Sequence, residues 1–238
     1  MSDSHETINL TITRSGRDAG PANYTILSPG PYSRVLDLLV HVQRHVDPTL
    51  SFRYACRVGM CGACAMVING KEALACQVTV GSLGNDVRLE PLRALPVQRD
   101  LSVDMAPFFA NLKNANAAFA PSEPQRMNIR TIPPGGKDRV AIEAQNGCVT
   151  CGACYSACDC DKETDSYLGH AALNRILMLS MDERDALGKQ RLAAVIADRS
   201  VVHRHAHGGC PIHCPADIPL RDGQRRLEQL ANANENAG

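Results

Sequence analysis

The chain has 238 residues, of which 44% are hydrophobic and 21% charged, as expected for a globular protein with one large or two small domains. Its 25 Lys and Arg residues equal its 25 Asp and Glu residues in number, so no net positive charge favours nucleic acid or an anionic membrane. Tryptophan is absent and aromatic residues make up only 4%, which gives base stacking little support. We therefore expect no nucleic-acid partner.

Hydropathy and cysteine content indicate the compartment. The longest apolar stretch, residues 35–42, is far too short to span a bilayer and is interrupted by Asp37 and His41. The N-terminal residues are polar and lack the apolar core of a signal peptide, so we expect a cytoplasmic protein unless another subunit carries it elsewhere. Eleven cysteines, an odd number in a reducing compartment, favour metal binding over disulfides.

The first hundred residues read as a small mixed sheet packed on one helix. Alternating apolar residues predict a strand at residues 8–12, with residues 23–27 as its hairpin partner. Ser33 is a candidate N-cap for the helix that follows. The dipeptide Asn69-Gly70 between two apolar runs predicts a two-residue hairpin turn, and a last strand is predicted around Val87.

Within this region lies the sequence R-Y-A-C-R-V-G-M-C-G-A-C. Its cysteines and one further along have the C-x4-C-x2-C…C spacing of plant-type [2Fe–2S] proteins: Cys56, Cys61, Cys64 and Cys76. Gly59 and Gly62 suit a tight loop whose backbone amides point at sulfur. The alternative is a structural zinc site, but zinc sites usually combine two C-x2-C pairs and this segment has one. The spacing predicts a [2Fe–2S] cluster.

Prolines then interrupt regular structure, and helical periodicity replaces the strand pattern from Val140 onward. Three helices are predicted, around residues 171–179, 187–196 and 218–230. The predicted organisation is a [2Fe–2S] ferredoxin-like domain, a connector and a helical domain with two metal centres: residues 1–105, 106–140 and 141–238.

The helical region contains the densest cysteine motif, C-V-T-C-G-A-C-Y-S-A-C, from Cys148 to Cys158. In bacterial two-cluster ferredoxins the first three cysteines of such a run bind one cluster and the fourth turns to a second cluster. Each cluster then needs ligands from elsewhere in the chain. Cys210 and the Cys214-Pro215 pair are placed to supply them. The motif predicts iron–sulfur binding.

A plant-type cluster segment followed by a helical two-cluster segment resembles the iron–sulfur subunit of succinate dehydrogenases and fumarate reductases (the complex II family). The likeness covers nearly the whole chain and includes P-V-Q-R-D-L from Pro96, Y-L-G-H-A-A from Tyr167, and Cys214-Pro215. It implies an α+β fold, with an N-terminal β-grasp plant-type ferredoxin domain and a C-terminal all-α two-cluster ferredoxin domain.

The resemblance also implies a function. In that family the subunit passes electrons between an FAD-containing flavoprotein subunit and a quinone-reactive membrane anchor, through [2Fe–2S], [4Fe–4S] and [3Fe–4S] clusters. The chain would then be the electron-transfer subunit of an oxidoreductase, with no catalytic residue of its own. It would lie on the cytoplasmic side of the inner membrane through its partner subunits. Carried over by position, the [4Fe–4S] ligands are Cys148, Cys151, Cys154 and Cys214.

The third cluster is where the sequence departs from the family. The family uses the equivalents of Cys158 and Cys210 together with a cysteine six residues before the latter, where this chain has Arg204. It also places a proline after the equivalent of Cys158 and a tryptophan nearby, beside the quinone, and neither is present here. Cys160 or His207 could complete a third iron–sulfur cluster, either [3Fe–4S] or [4Fe–4S], because imidazole also ligates iron in Rieske centres. The remaining alternative is that this cluster is lost.

Other interpretations stay open at this point. Cys160 could be an unligated thiol, and the histidines at 203, 205 and 207 could belong to a solvated polar loop. The same architecture could serve a flavoprotein of different substrate or a different electron acceptor. A non-redox interaction module with structural zinc is a third possibility, and it would be colourless.

Overall fold

The computed structural model of the protein describes residues 7–16, 19–122, 131–160, 168–197, 205, 210 and 212–236. The chain divides into two compact units. The first comprises Met1–Met105 and Val149–Ala157, and the second comprises Ala106–Cys148 and Cys158–Gly238. Part of the dense cysteine motif therefore groups with the N-terminal sheet. Among the described helices, none is long and apolar enough to cross a membrane.

The first unit is built on a mixed five-stranded sheet. Its strands lie in the order β2-β1-β5-β3-β4, and β1 and β5 are parallel while the other neighbours are antiparallel. The predicted strands and the Asn69-Gly70 hairpin are present. A short second hairpin, β6 with β7, has no strong sequence signal and was not expected. The strand bounds are β1 Thr7–Arg14, β2 Gly20–Leu27, β3 Ala65–Ile68, β4 Lys71–Leu74, β5 Asp86–Glu90, β6 Val97–Arg99 and β7 Ser102–Val103.

Helix α1, Val35–His45, buries one apolar face in the core of this unit. Residues three and four apart along the helix lie on that face, and Val35, Leu38, Leu39 and Val42 are fully buried. The helix is capped by Arg34 and not by Ser33 as expected, because the Asp37 carboxylate accepts a 2.9 Å hydrogen bond from the Arg34 backbone amide. A carboxylate in the first turn also interacts favourably with the positive end of the helix dipole.

A buried carboxylate, Asp100, ties three segments of the first unit together. It is 1% exposed and accepts hydrogen bonds of 2.9 Å from the backbone amides of Ser15 and Ser51. The Arg14 guanidinium forms a 3.1 Å ion pair with it. Burial alone would raise the pKa of Asp100, but the hydrogen bonds from Ser15 and Ser51 and the Arg14 charge hold it below its ordinary value. The ionised form is therefore the one that stabilises the fold.

The second unit is helical in its described part, and one buried cluster forms its core. Leu173, Ile176 and Leu177 of one helix pack there with Leu192 and Leu227 from two other helices. The three helices predicted around residues 171–179, 187–196 and 218–230 are present. The helices of the protein beyond α1 are α2 Ala106–Asn114, α3 Lys137–Ile142, α4 Ala153–Ala157 (which belongs to the first unit), α5 His170–Ser180, α6 Gly188–Ala197 and α7 Leu220–Asn236.

A buried ion pair fixes the segment that follows α2. The side chains of Arg191 and Asp185 are at most 1% exposed and contact each other directly. Arg191 also donates to the carbonyls of Asn116 and Ala118, and Asp185 accepts the amide of Ala120 at 3.0 Å. Because each charge is paired and hydrogen-bonded, its burial is tolerated.

Candidate metal centres

The first candidate centre is the loop that precedes β3, together with the end of β4. The β3–β4 hairpin brings two buried cysteines into contact, because Cys64 immediately precedes β3 and Cys76 follows β4. Cys61 is exposed, and its thiol hydrogen-bonds with that of Cys56. Two adjacent strands and one loop therefore position all four predicted [2Fe–2S] ligands in the first unit: Cys56, Cys61, Cys64 and Cys76.

Backbone amides of this loop point at sulfur. Val58 and Met60 donate hydrogen bonds to Cys56 Sγ at 3.5 and 3.3 Å. The Val58 amide, followed by the Cys61 thiol, lowers the pKa of Cys56 to about 7, whereas burial raises the pKa of Cys64 to about 12. Amides aimed at sulfur stabilise thiolate, the form that binds metal. They are also the hydrogen bonds that tune cluster potentials.

Gly62 brings this loop against the dense cysteine motif. Its φ is +70°, and a Cβ atom at this position would lie 2.7 Å from the Val149 carbonyl oxygen and 2.9 Å from Cys151. Only glycine fits both the backbone conformation and the close approach. The predicted [2Fe–2S] loop and the segment that carries Cys151 are therefore in direct contact within the first unit.

The predicted [4Fe–4S] ligands are divided between the two units. Cys151 and Cys154 are half-buried members of the first unit, whereas Cys148 and Cys214 belong to the second. Cys154 lies on α4, and this helix is held to the sheet of its own unit by Ser156. The Ser156 hydroxyl donates to the buried Glu72 carboxylate at 2.9 Å and accepts the Arg93 amide at 2.7 Å. This contact fixes the orientation of Cys154 relative to β4.

A third group of donors lies within the second unit and contains two histidines. One ligand atom from each side chain lies within 4.8 Å of all the others, and each residue is 4% exposed or less: Cys158, His170, His205 and Cys210. His170 Nε2 is 3.5 Å from Cys210 Sγ, and the His170 and His205 ring centroids are 4.1 Å apart. Burial raises the pKa of Cys210 to about 12, although the Asp159 backbone amide donates to its sulfur.

The outcome for the predicted third site is mixed. Cys158 and Cys210 come together, and Cys160 is buried beside them, with its Sγ 3.9 Å from His205 Nδ1. The solvated-loop alternative is wrong for His205, which is 0% exposed. His203, Arg204 and His207 lie outside the described residues.

His170 is the residue that the sequence analysis missed. It was noted only as part of the Y-L-G-H-A-A motif and is the first residue of α5. The available signal was an imidazole at the start of a helix whose other residues are mostly apolar. Its neighbours at the site are 12, 35 and 40 positions away, so only the fold brings the four together.

Comparisons with known proteins support the interpretation of this chain as an iron–sulfur protein. Residues 10–110 match the family described as "2Fe-2S iron-sulfur cluster binding domain". The succinate dehydrogenase [ubiquinone] iron-sulfur subunit of Dictyostelium discoideum is 33% identical over 82% of this chain and 70% of its own length. The fumarate reductase iron-sulfur subunit of Mycobacterium tuberculosis is 32% identical over 83% of this chain and 80% of its own length.

The fold is shared with a solved structure. A chain of the Mycobacterium smegmatis Sdh1 complex in the apo form superposes with a TM-score of 0.81 at 22% identity, covering 98% of each chain. The relatives, the matched domain and the shared fold thus define the class: the protein is an iron–sulfur electron-transfer protein with an α+β fold. More particularly, the chain belongs to the family of iron–sulfur subunits of succinate dehydrogenases and fumarate reductases.

Proposed function

We propose that the chain is the electron relay of a complex II-type oxidoreductase, with two clusters. The first is a [2Fe–2S] cluster on Cys56, Cys61, Cys64 and Cys76, in a β-grasp plant-type ferredoxin domain. The second is a [4Fe–4S] cluster on Cys148, Cys151, Cys154 and Cys214, at the start of an all-α domain of the fold type found in two-cluster ferredoxins. These clusters supply the one-electron chemistry, and the protein positions them and tunes their potentials.

The contact at Gly62 is the observation that carries this proposal. It brings the loop with Cys61 directly against the segment with Cys151, so two redox centres would lie within short electron-transfer distance. The amide hydrogen bonds to Cys56 suit a reduced cluster, because they stabilise added negative charge on sulfur. No residue is required to act on substrate.

An FAD-containing flavoprotein subunit is the proposed partner on the [2Fe–2S] side. Around the exposed Cys61, the apolar side chains of Val58 and Met60 are 62% and 75% exposed. Apolar side chains beside an exposed ligand favour a protein interface, which would also exclude water from the cluster. The proposed acceptor is a membrane anchor subunit with quinone, which would hold this chain on the cytoplasmic side of the inner membrane.

Purification of the full chain with its associated subunits tests this function. A tagged chain should bring down a flavin-containing subunit, and dithionite reduction should give two iron–sulfur signals in electron paramagnetic resonance. Met60→Glu should lower the recovered flavin severalfold while leaving the signals, and Arg44→Glu, remote in sequence on α1, serves as a control. Recovery of a lone chain that nevertheless oxidises succinate would contradict the proposal.

A different electron acceptor is the second candidate function. It is favoured by one observation, the replacement of an all-cysteine third site by a group that includes two buried histidines. Comparison of quinone with a soluble dye as acceptor separates the two candidates. Full activity with the dye and no activity with any quinone would favour the second candidate.

A further inference from the structure

We propose that the third centre is a single divalent ion, Zn²⁺, and not a third iron–sulfur cluster. Four side chains would bind this ion: Cys158, His170, His205 and Cys210. This goes beyond the function proposed above, which depends on the first two centres. The geometry, the charge and the surroundings of His170 each support it.

The spacing of the donors fits one ion. With metal–sulfur bonds of about 2.3 Å and metal–nitrogen bonds of about 2.0–2.1 Å, a sulfur and a nitrogen on one tetrahedral ion are about 3.5 Å apart. His170 Nε2 and Cys210 Sγ are 3.5 Å apart, and all four donor atoms lie within 4.8 Å of one another.

The same spacing argues against a cluster. Ligands on different irons of a cubane point away from each other and are separated by the additional iron–iron distance. In a Rieske-type [2Fe–2S] centre the two thiolates bind one iron and the two imidazoles bind the other. His170 and Cys210 would then lie on opposite sides of the cluster, whereas here they are adjacent.

Charge balance also favours one divalent ion. Two thiolates and two neutral imidazoles carry a charge of about −2, which a divalent ion cancels. Neutrality matters because the donors are 0–4% exposed, and an uncompensated buried charge is costly. On binding, the thiol protons of Cys158 and Cys210 leave to solvent, and two metal–sulfur bonds replace two S–H bonds.

Gln224 of α7 supplies the support that a metal-bound imidazole requires. It is 1% exposed, its side-chain nitrogen is 2.6 Å from His170 Nδ1, and its Oε1 has no hydrogen-bond partner among the described residues. The oxygen and nitrogen of a glutamine side-chain amide have nearly the same shape, so the two atoms can exchange positions when the amide is turned over. With the amide turned over, Oε1 accepts the proton of His170 Nδ1, and the lone pair of Nε2 is directed towards Cys210. A carbonyl oxygen that orients a metal-binding histidine in this way is typical of protein metal sites.

Metal analysis of the full chain, purified anaerobically with its accompanying subunits, tests the proposal directly. We expect about one zinc and about six irons per chain, from one [2Fe–2S] and one [4Fe–4S] cluster. Zinc-edge X-ray absorption should show two sulfur and two nitrogen neighbours at about 2.3 and about 2.0–2.1 Å. A count of about eight irons (a Rieske centre) or about nine to ten (a third cluster) would overturn it, as would zinc with only nitrogen and oxygen neighbours.

Variants assign the ligands. His170→Asn should lose the zinc on dialysis against a chelator, whereas Cys160→Ser, a neighbouring buried cysteine outside the four, should retain it. Gln224→Leu should weaken zinc binding about 10- to 100-fold. This variant decides the matter if His170→Asn does not fold. The reverse pattern, in which zinc depends on Cys160 and not on His170 or Gln224, would refute the ligand set. Absence of the [2Fe–2S] signal from the unsubstituted chain would instead count against the proposed function.

Discussion

The [2Fe–2S] loop of the first unit and the cysteine–histidine group of the second unit differ in how their ligands are brought together. Three of the four loop cysteines lie within nine residues, and a hairpin with a two-residue turn returns the fourth. The other group draws donors from positions 158 to 210. The first arrangement is encoded by local spacing, whereas the second exists only when the helical unit is folded. The first site is partly exposed and suits electron exchange, and the second is fully buried and suits a fixed ion.

The largest expected effect is at the [2Fe–2S] loop of the first unit. Cys61→Ala removes one proposed ligand, so we expect complete loss of the rhombic signal of the reduced [2Fe–2S] cluster in electron paramagnetic resonance. Met60→Ala, an exposed neighbour that keeps its backbone amide, should leave that signal unchanged. An unchanged signal in Cys61→Ala would falsify the ligand assignment.

The second prediction concerns the buried ion pair of the helical unit. Asp185→Asn leaves the buried Arg191 charge without its partner, so we expect a loss of about 3 kcal/mol in the free energy of unfolding. Asp222→Asn removes the exposed partner of Arg225 and should cost less than about 1 kcal/mol. Anaerobic denaturant titration followed by circular dichroism measures both. Equal costs would mean that Asp185 does not organise this unit.

The third prediction concerns the contact between the loop and the dense motif. Gly62→Ala combines the strain of a positive φ, about 1 kcal/mol, with a clash against backbone. Gly70→Ala has the same strain, since its φ is +82°, but open space around it. We expect Gly62→Ala to lower cluster content and alter the [2Fe–2S] line shape, and Gly70→Ala to alter neither. Identical behaviour of the two variants would argue against the close approach.

The smallest expected effect is a pH dependence of the first unit. The folded-state pKa of Asp100 is lowered, so its stabilising contribution is present at neutral pH. It is lost as the pH falls below the unfolded-state pKa of about 3.9 and through the lower folded-state value. Asp100→Asn should be less stable than the wild type at pH 7, and the difference should shrink in acid. Thermal unfolding across this range would contradict the interpretation if the difference grew instead.

Much of the first unit could be predicted from sequence because its signals are local. Strand alternation, the Asn69-Gly70 turn and the cysteine spacing each depend on neighbouring residues. The exact helix cap could not be predicted, since the Asp37 carboxylate accepts the backbone amide of Arg34, so that the helix begins one residue after the expected Ser33 cap. His170 could not be identified as a donor because its relation to Cys210 depends on how α5 packs. The burial of His205 could not be predicted either, because the polar composition around it was also compatible with a solvated loop and carries no information about burial.

Counting the electrons that the chain accepts tests the central contrast most directly. Stepwise reduction of the purified full chain, followed by electron paramagnetic resonance and corrected for bound flavin, should end after about two electrons per chain, one for each cluster. The same end point should be reached by Cys160→Ser. Uptake of a third electron, with a new signal that disappears in His170→Asn, would show that the buried cysteine–histidine group is a redox centre and would contradict the account.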